Sequence, residues 1–159
     1  MDTGAFLSYL EGRQVRWRIA LDECLRSAGP DPRRRLLAVF DALRSLAADG
    51  LRCGAFINAQ FELGEPRGLC RTVIAEHKRC LRADVLELAR STGAVDPELL
   101  ADQLLLVYEG AVANHSLGSV ADPVGTAHRV ARRLIAASSP RPLDSFWTDG
   151  AESAEGKDA

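Results

Sequence analysis

Apolar side chains recur along this chain at intervals of three and four, and glycine and proline interrupt them at a few places. From Gly4 to Ala28, Phe6, Leu7, Leu10, Trp17, Leu21, Cys24 and Leu25 fall at mainly helical spacings with arginines between them. Gly29-Pro30 ends that run. Asp31 followed by Pro32 has the form of an N-cap with a first-turn proline, so a second helix is expected to reach Ala48. Leu36, Phe40, Leu43 and Ala47 make its stripe, Leu37, Val39 and Leu46 widen it, and Asp49-Gly50 closes it with a left-handed glycine.

The stretch from Leu51 to Pro66 has no sustained period. Cys53-Gly54 lets the backbone turn, and Ala55 to Phe61 has room for one or two helical turns before Gly64-Glu65-Pro66. A long helix is expected from Arg67 to Thr92, with Leu69, Val73, His77, Cys80, Leu81, Val85 and Leu88 inward and Gly93 as its stop. Asp96-Pro97-Glu98 repeats the cap-and-proline start and opens a helix to about Leu117. That helix is apolar on nearly every face, so it belongs at a domain centre or a subunit interface. One of its lines, Gln103, Leu106, Gly110, Ala113 and Leu117, is partly small and permits close approach of another helix; a second line is Leu104, Tyr108, Ala111 and His115. After Gly118 and Asp122-Pro123, the last helix runs from Val124 to Ala137, with Val124, Ala127, Ala131 and Leu134 as its packing seam.

The pattern predicts an all-α fold, a bundle of five to six helices over residues 1–138. Residues 139–159 change character: they are rich in Pro, Ser, Gly and acids without helical period, and are expected to form a disordered acidic tail in which Phe146-Trp147 is the apolar pair. Aromatics at 6% and abundant Ala, Leu and Arg favour helix over sheet. A net charge of −2 gives no electrostatic footprint for nucleic acid. The clusters Arg13-Arg16-Arg18 and Arg33-Arg34-Arg35 read as solvated helix faces. No apolar run approaches the ~20 residues of a membrane span, and the first residues lack the pattern of a signal peptide. Cys24, Cys53, Cys70 and Cys80 show no CxxC pair and read as reduced thiols, which makes the expected compartment cytoplasmic.

Few residues carry recognisable chemistry. His77, on the inward stripe of the third long helix, is either a ligand contact or a core histidine bonded to a neighbouring group. Cys70, His77 and Cys80 share a side but lack the short turn spacing of zinc ligands, so no metal and no cofactor is expected. His115 and Asn114 fit helix C-capping or a ligand hydrogen bond. Trp17, Phe40, Phe56, Phe61 and Tyr108 come from separate segments, and a bundle can gather them as a pocket lining or simply as core. No serine lies in a nucleophile-elbow context, no phosphate loop occurs, and Glu62, Glu65 and Glu76 form no acid–base pair, so an enzyme is not expected.

The segments Gly50-Leu51-Arg52-Cys53-Gly54-Ala55-Phe56-Ile57-Asn58-Ala59, Glu76-His77-Lys78 and Leu104-Leu105-Leu106-Val107-Tyr108-Glu109-Gly110-Ala111, in that order, resemble the C-terminal regulatory domain of TetR-type (tetracycline-repressor-like) transcription regulators. The resemblance covers roughly Phe6 to Ala137; many members read Arg-Gly-Cys where this chain has Arg52-Cys53-Gly54. It implies an effector-sensing and dimerisation domain whose last two helices pair with a second copy in a four-helix bundle. The ligand, a small apolar or aromatic effector, would meet Trp17, Phe40, Phe56, Phe61, His77, Tyr108 and His115. The homodimer would use Leu106, Gly110, Ala113, Leu117, Ala127, Ala131 and Leu134. Members carry an N-terminal helix-turn-helix unit that this sequence lacks, so DNA is expected as a partner only if such a unit lies upstream. The alternative is a ligand-free helical interaction domain, a heterodimer partner or truncated regulator, in which Trp17, Phe40 and Tyr108 fill the pocket themselves.

Overall fold

The computed structural model describes residues 3–48 and 69–138, and within these the chain is five α-helices with no strand. They are α1 (Thr3–Ala28), α2 (Pro32–Ala48), α3 (Leu69–Ser91), α4 (Pro97–Leu117) and α5 (Pro123–Ala137). The expected turns at Ala55–Phe61, the closing Asp49-Gly50 and the acidic tail lie outside the described residues, as do the side chains of Phe6, Leu7, Leu10, Leu69 and Cys70.

Helix starts and stops follow from local chemistry. Asp96 caps α4 by accepting from the Leu99 N–H at 2.9 Å, with Pro97 in the first turn where its missing N–H costs nothing. Asp122 and Pro123 do the same for α5, the carboxylate accepting from Gly125 N–H at 2.9 Å. A Cβ on Gly125 would overlap that carboxylate, so the cap and the glycine are coupled. Gly118 ends α4 at φ 67° and donates to Asn114 O at 2.9 Å, a conformation that L side chains with a Cβ resist.

The core draws on every helix. Trp17 and Leu21 come from α1, Ile74, Leu81, Val85 and Ala89 from α3, Leu100, Ala101, Leu104, Ala111 and Val112 from α4, and Val124, Ala127, Ala131 and Ile135 from α5. The most enclosed helix is α2. Its Leu36, Ala38, Val39, Phe40, Ala42 and Leu43 are all buried, an arc of about 200° at 100° per residue. It touches α1, α3 and α5, whereas α4 packs chiefly on α3 and α5.

The helix expected at a domain centre or a subunit interface is covered on one side among the described residues. The buried residues of α4 occupy one face, while Leu99, Leu106 and Leu117 on nearly the opposite face are 53%, 76% and 77% exposed. Apolarity at each position did not distinguish burial inside the chain from an outward apolar face.

Polar pairs fix how the helices are registered. Lys78–Glu109 (2.8 Å), Arg82–Asp102 (2.8 Å) and Arg90–Glu98 (2.7 Å) run down the α3–α4 seam, rising residue numbers on one helix meeting falling ones on the other. Arg18–Asp84 (2.7 Å) ties α1 to α3, and His128 Nε2 lies 3.1 Å from Asp41 between α5 and α2. Exposed pairs of this kind add little net stability, but mismatched registers would set like charges against each other. The Val95 N–H donates to Ser138 O at 3.1 Å, joining the α3–α4 turn to the end of α5.

Phe40→Ala is expected to cost about 3–5 kcal/mol in urea unfolding, because Phe40 is 1% exposed at the centre of the bundle. Asp96→Ala, which removes one helix cap at the surface, should cost about 1 kcal/mol in the same measurement.

Candidate functional site

Three of the aromatics that the sequence analysis singled out meet where α1, α2 and α4 converge. Tyr108 stands edge-on to Trp17, with ring centroids 5.6 Å apart at 73°, and edge-on to Phe40 at 6.1 Å and 69°. Edge-to-face geometry sets a positive ring edge against a negative face and adds to the burial energy. Trp17 and Phe40 are buried, while Tyr108 is half-buried. Phe56 and Phe61 lie outside the described residues.

His77 lies on α3. It is half-buried, and desolvation lowers its pKa from the ordinary 6.5; Glu109 opposes that shift, and Lys78, Arg13 and Arg18 add to it. These charges come from α1, α3 and α4, which locates the imidazole at the junction of the three helices, with Glu109 the neighbour of Tyr108 in sequence. A neutral imidazole offers one donor and one acceptor, which suits it to orient a polar group on an otherwise apolar molecule.

Sequence reasoning missed Arg13. Read as part of a solvated face, it is 9% exposed, whereas Arg16 and Arg18 are exposed as expected. Its guanidinium donates to Tyr9 Oη at 3.3 Å and lies 5.9 Å from the Tyr9 ring centroid. The signal was in the spacing: Tyr9, Arg13, Trp17 and Leu21 recur every four residues, so Arg13 shares the inward side of α1 with the buried Trp17 and Leu21. An aliphatic stem under a cationic head lets arginine occupy such a position.

His115 does not join this group. It lies two turns beyond Tyr108 on the same side of α4, but its side chain is exposed. Bracing of that helix end falls to Asn114, which donates to Gly110 O at 2.8 Å and accepts from the Ser119 hydroxyl. Cys24 and Cys80 are free thiols, and burial, Asp41 and Glu23 push the Cys24 thiol up, so its nucleophilic form is disfavoured. Among the described residues no group of three or more His, Cys, Asp or Glu is placed to hold a metal ion.

The residues expected at a dimer interface divide by helix. Leu106, Gly110 and Leu117 on α4 are exposed, Ala113 is half-buried, and the space around Gly110 is open. On α5 the reading needs correction. Ala127 and Ala131 are 5% and 0% exposed within the chain's own core, and Leu134 packs against it. Ala131 and Leu134 belong to the seam that joins α5 to the chain's own core, while Ala127 also lines the groove between α4 and α5. The outward residues of α5 beside α4 are Thr126 and Val130, which with Val107, Gly110 and Asn114 line a shallow groove of about 160 Å³.

Because the folded state resists protonating His77, stability should fall as pH drops below about 6.5, where the unfolded chain takes up a proton that the folded chain does not. The loss should level off below the folded pKa, and His77→Gln should flatten this part of the curve. An imidazole NMR titration is expected to give His77 a midpoint below 6.5; a midpoint at or above it would contradict the geometry.

No family model, no curated protein and no solved structure matches this chain. Among the described residues, no helix is long and apolar enough to cross a membrane.

Proposed function

We propose that this chain is the effector-sensing and dimerisation domain of a TetR-type transcription regulator. The observation that carries the reading is the convergence of Trp17, Phe40 and Tyr108 where α1, α2 and α4 meet, with the half-buried His77 of α3 within electrostatic reach of charges on α1 and α4. An apolar wall with one convergent polar group is the usual make-up of a small-molecule site. The ligand in this reading is a compact aromatic or apolar molecule with one hydrogen-bonding group, held against Tyr108 and oriented by His77. Binding would act by favouring one of two arrangements of α1 and α4, since both helices contribute to the wall. Operator contact belongs, in such regulators, to a helix-turn-helix unit distinct from these residues.

The uncovered face of α4 supports the dimerisation half of the proposal. Leu99, Leu106 and Leu117, with Gly110 and Ala113 between them, form an apolar line along the whole helix, and a helix from a second copy can approach closely at the small residues.

A second reading, a ligand-free interaction domain, draws on the same trio: Trp17 and Phe40 are 6% and 1% exposed and touch Tyr108, as core residues do. Ligand-dependent stabilisation separates the two. A sensing domain gains stability as RT ln(1 + [L]/Kd) from at least one member of a panel of small aromatic and aliphatic probes, and His77→Ala weakens that gain. An interaction domain gains none from any member.

Sizing at micromolar concentration is expected to give a dimer that Leu106→Glu converts to a folded monomer. A monomeric wild type that Leu106→Glu leaves unchanged would remove the dimerisation half.

A further inference from the structure

At the end of the bundle away from Gly118, the start of α2 and the last turns of α5 enclose a cleft of about 220 Å³. Leu37, Ile135 and Ala136 form its apolar floor, and Arg33, Arg34 and Arg132 stand around it. All three arginines are exposed, and among the described residues none is in an ion pair, in contrast to Arg18, Arg79, Arg82, Arg90 and Arg129. Asp31 is the carboxylate next to them in sequence, and it is engaged in capping, accepting from the Arg33 N–H at 2.9 Å. Three guanidinium groups over an apolar floor make a receptor for something both acidic and apolar, because arginine pairs with carboxylates through two parallel hydrogen bonds.

We propose that the occupant of this cleft is the chain's own C-terminal segment, with Phe146-Trp147 on the Leu37–Ile135–Ala136 floor and the acids around it paired with Arg33, Arg34 and Arg132. Charge is the first argument. Residues 139–159 carry five carboxylates (Asp144, Asp149, Glu152, Glu155, Asp158) against Arg141 and Lys157, while the rest of the chain has slightly more cations than anions. Reach is the second. The segment leaves the body at Ser138, whose carbonyl is held by the Val95 N–H, and Ile135 and Ala136 line the cleft within the preceding turn. Phe146 follows eight residues later, a span of up to ~28 Å when extended, enough to turn back over the end of α5. Tethering at that distance supplies an effective concentration in the millimolar range, so modest pairings suffice for occupancy. Composition is the third. Flanking an aromatic pair with acids on both sides matches a cleft with an apolar centre and a cationic rim.

The test uses the full chain and acrylamide quenching of Trp147, obtained as the difference between wild type and Trp147→Phe, because the protein has two tryptophans. Quenching of Trp147 should rise by roughly twofold between about 0.01 M and about 1 M salt, over which the screening length falls from ~30 Å to ~3 Å. Arg34→Glu with Arg132→Glu should raise it equally at low salt. Should that pair of changes disturb folding, Asp144→Asn with Asp149→Asn, Glu152→Gln and Glu155→Gln removes the same charges from the tail side and should give the same rise. A Trp147 that is fully quenched in wild type at low salt, or one indifferent to both charge changes, overturns the proposal. Shielding that appears only as protein concentration increases places the tail of a second copy in the cleft and overturns the intramolecular assignment.

Discussion

The wedge of Tyr108 between Trp17 and Phe40 is the contact on which the arrangement of this protein depends. It brings together one residue from each of α1 and α2, which a three-residue loop joins, and one from α4, which is far from both in sequence. Alpha-2 lies under the wedge with an arc of buried residues wide enough to be covered from several directions, so a shift of Tyr108 is transmitted to α1 through Trp17 and to α2 through Phe40. Interiors packed to crystal-like density do not absorb such a shift locally. A molecule that pressed on Tyr108 would therefore also load Trp17 and Phe40, which is the physical content of the proposed sensing role.

Charge complements that packing without replacing it. The three ion pairs along α3 and α4 sit mostly in solvent and add little net energy, yet they set which turn of one helix faces which turn of the other. Register in turn fixes where His77 lies relative to Tyr108, because Lys78 and Glu109 are their immediate neighbours in sequence and pair at 2.8 Å. The lowered pKa of His77 follows from the same place: desolvation between the packed helices is its main cause, Glu109 opposes it, and Lys78, Arg13 and Arg18 add to it.

Helix boundaries were legible in the sequence because they rest on local chemistry. Asp96-Pro97, Asp122-Pro123 and the left-handed Gly29, Gly93 and Gly118 each act within one turn, and each stands where the spacing placed it. The aromatic trio was legible as a set of candidates, since residues of that size have few places to go in a bundle. Which face of α4 was inward was not legible from the apolar pattern; only the resemblance set Leu106, Gly110 and Leu117 outward. Leu104 and Leu106 are chemically the same, and only the packing of α3 and α5 makes one 1% and the other 76% exposed. Arg13 was missed for the opposite reason: charge suggested solvent, while its place four residues before Trp17 on the same side of α1 decided its burial. Ala127 and Ala131 show the remaining ambiguity, because a small-residue seam looks alike whether it joins α5 to its own chain or to another.

The central claim is that the Trp17–Tyr108–Phe40 junction senses a small molecule. Trp17 emission in a Trp147→Phe background, excited at the red edge of tryptophan absorption and followed during titration with compact probes that do not emit there, such as benzyl alcohol and cyclohexanol, reads that junction, since Trp17 is then the sole tryptophan and touches Tyr108. The account predicts a saturable change in emission that His77→Ala weakens. Emission that stays constant for every probe up to its solubility limit, in a protein that remains folded, would contradict it and leave the trio as core.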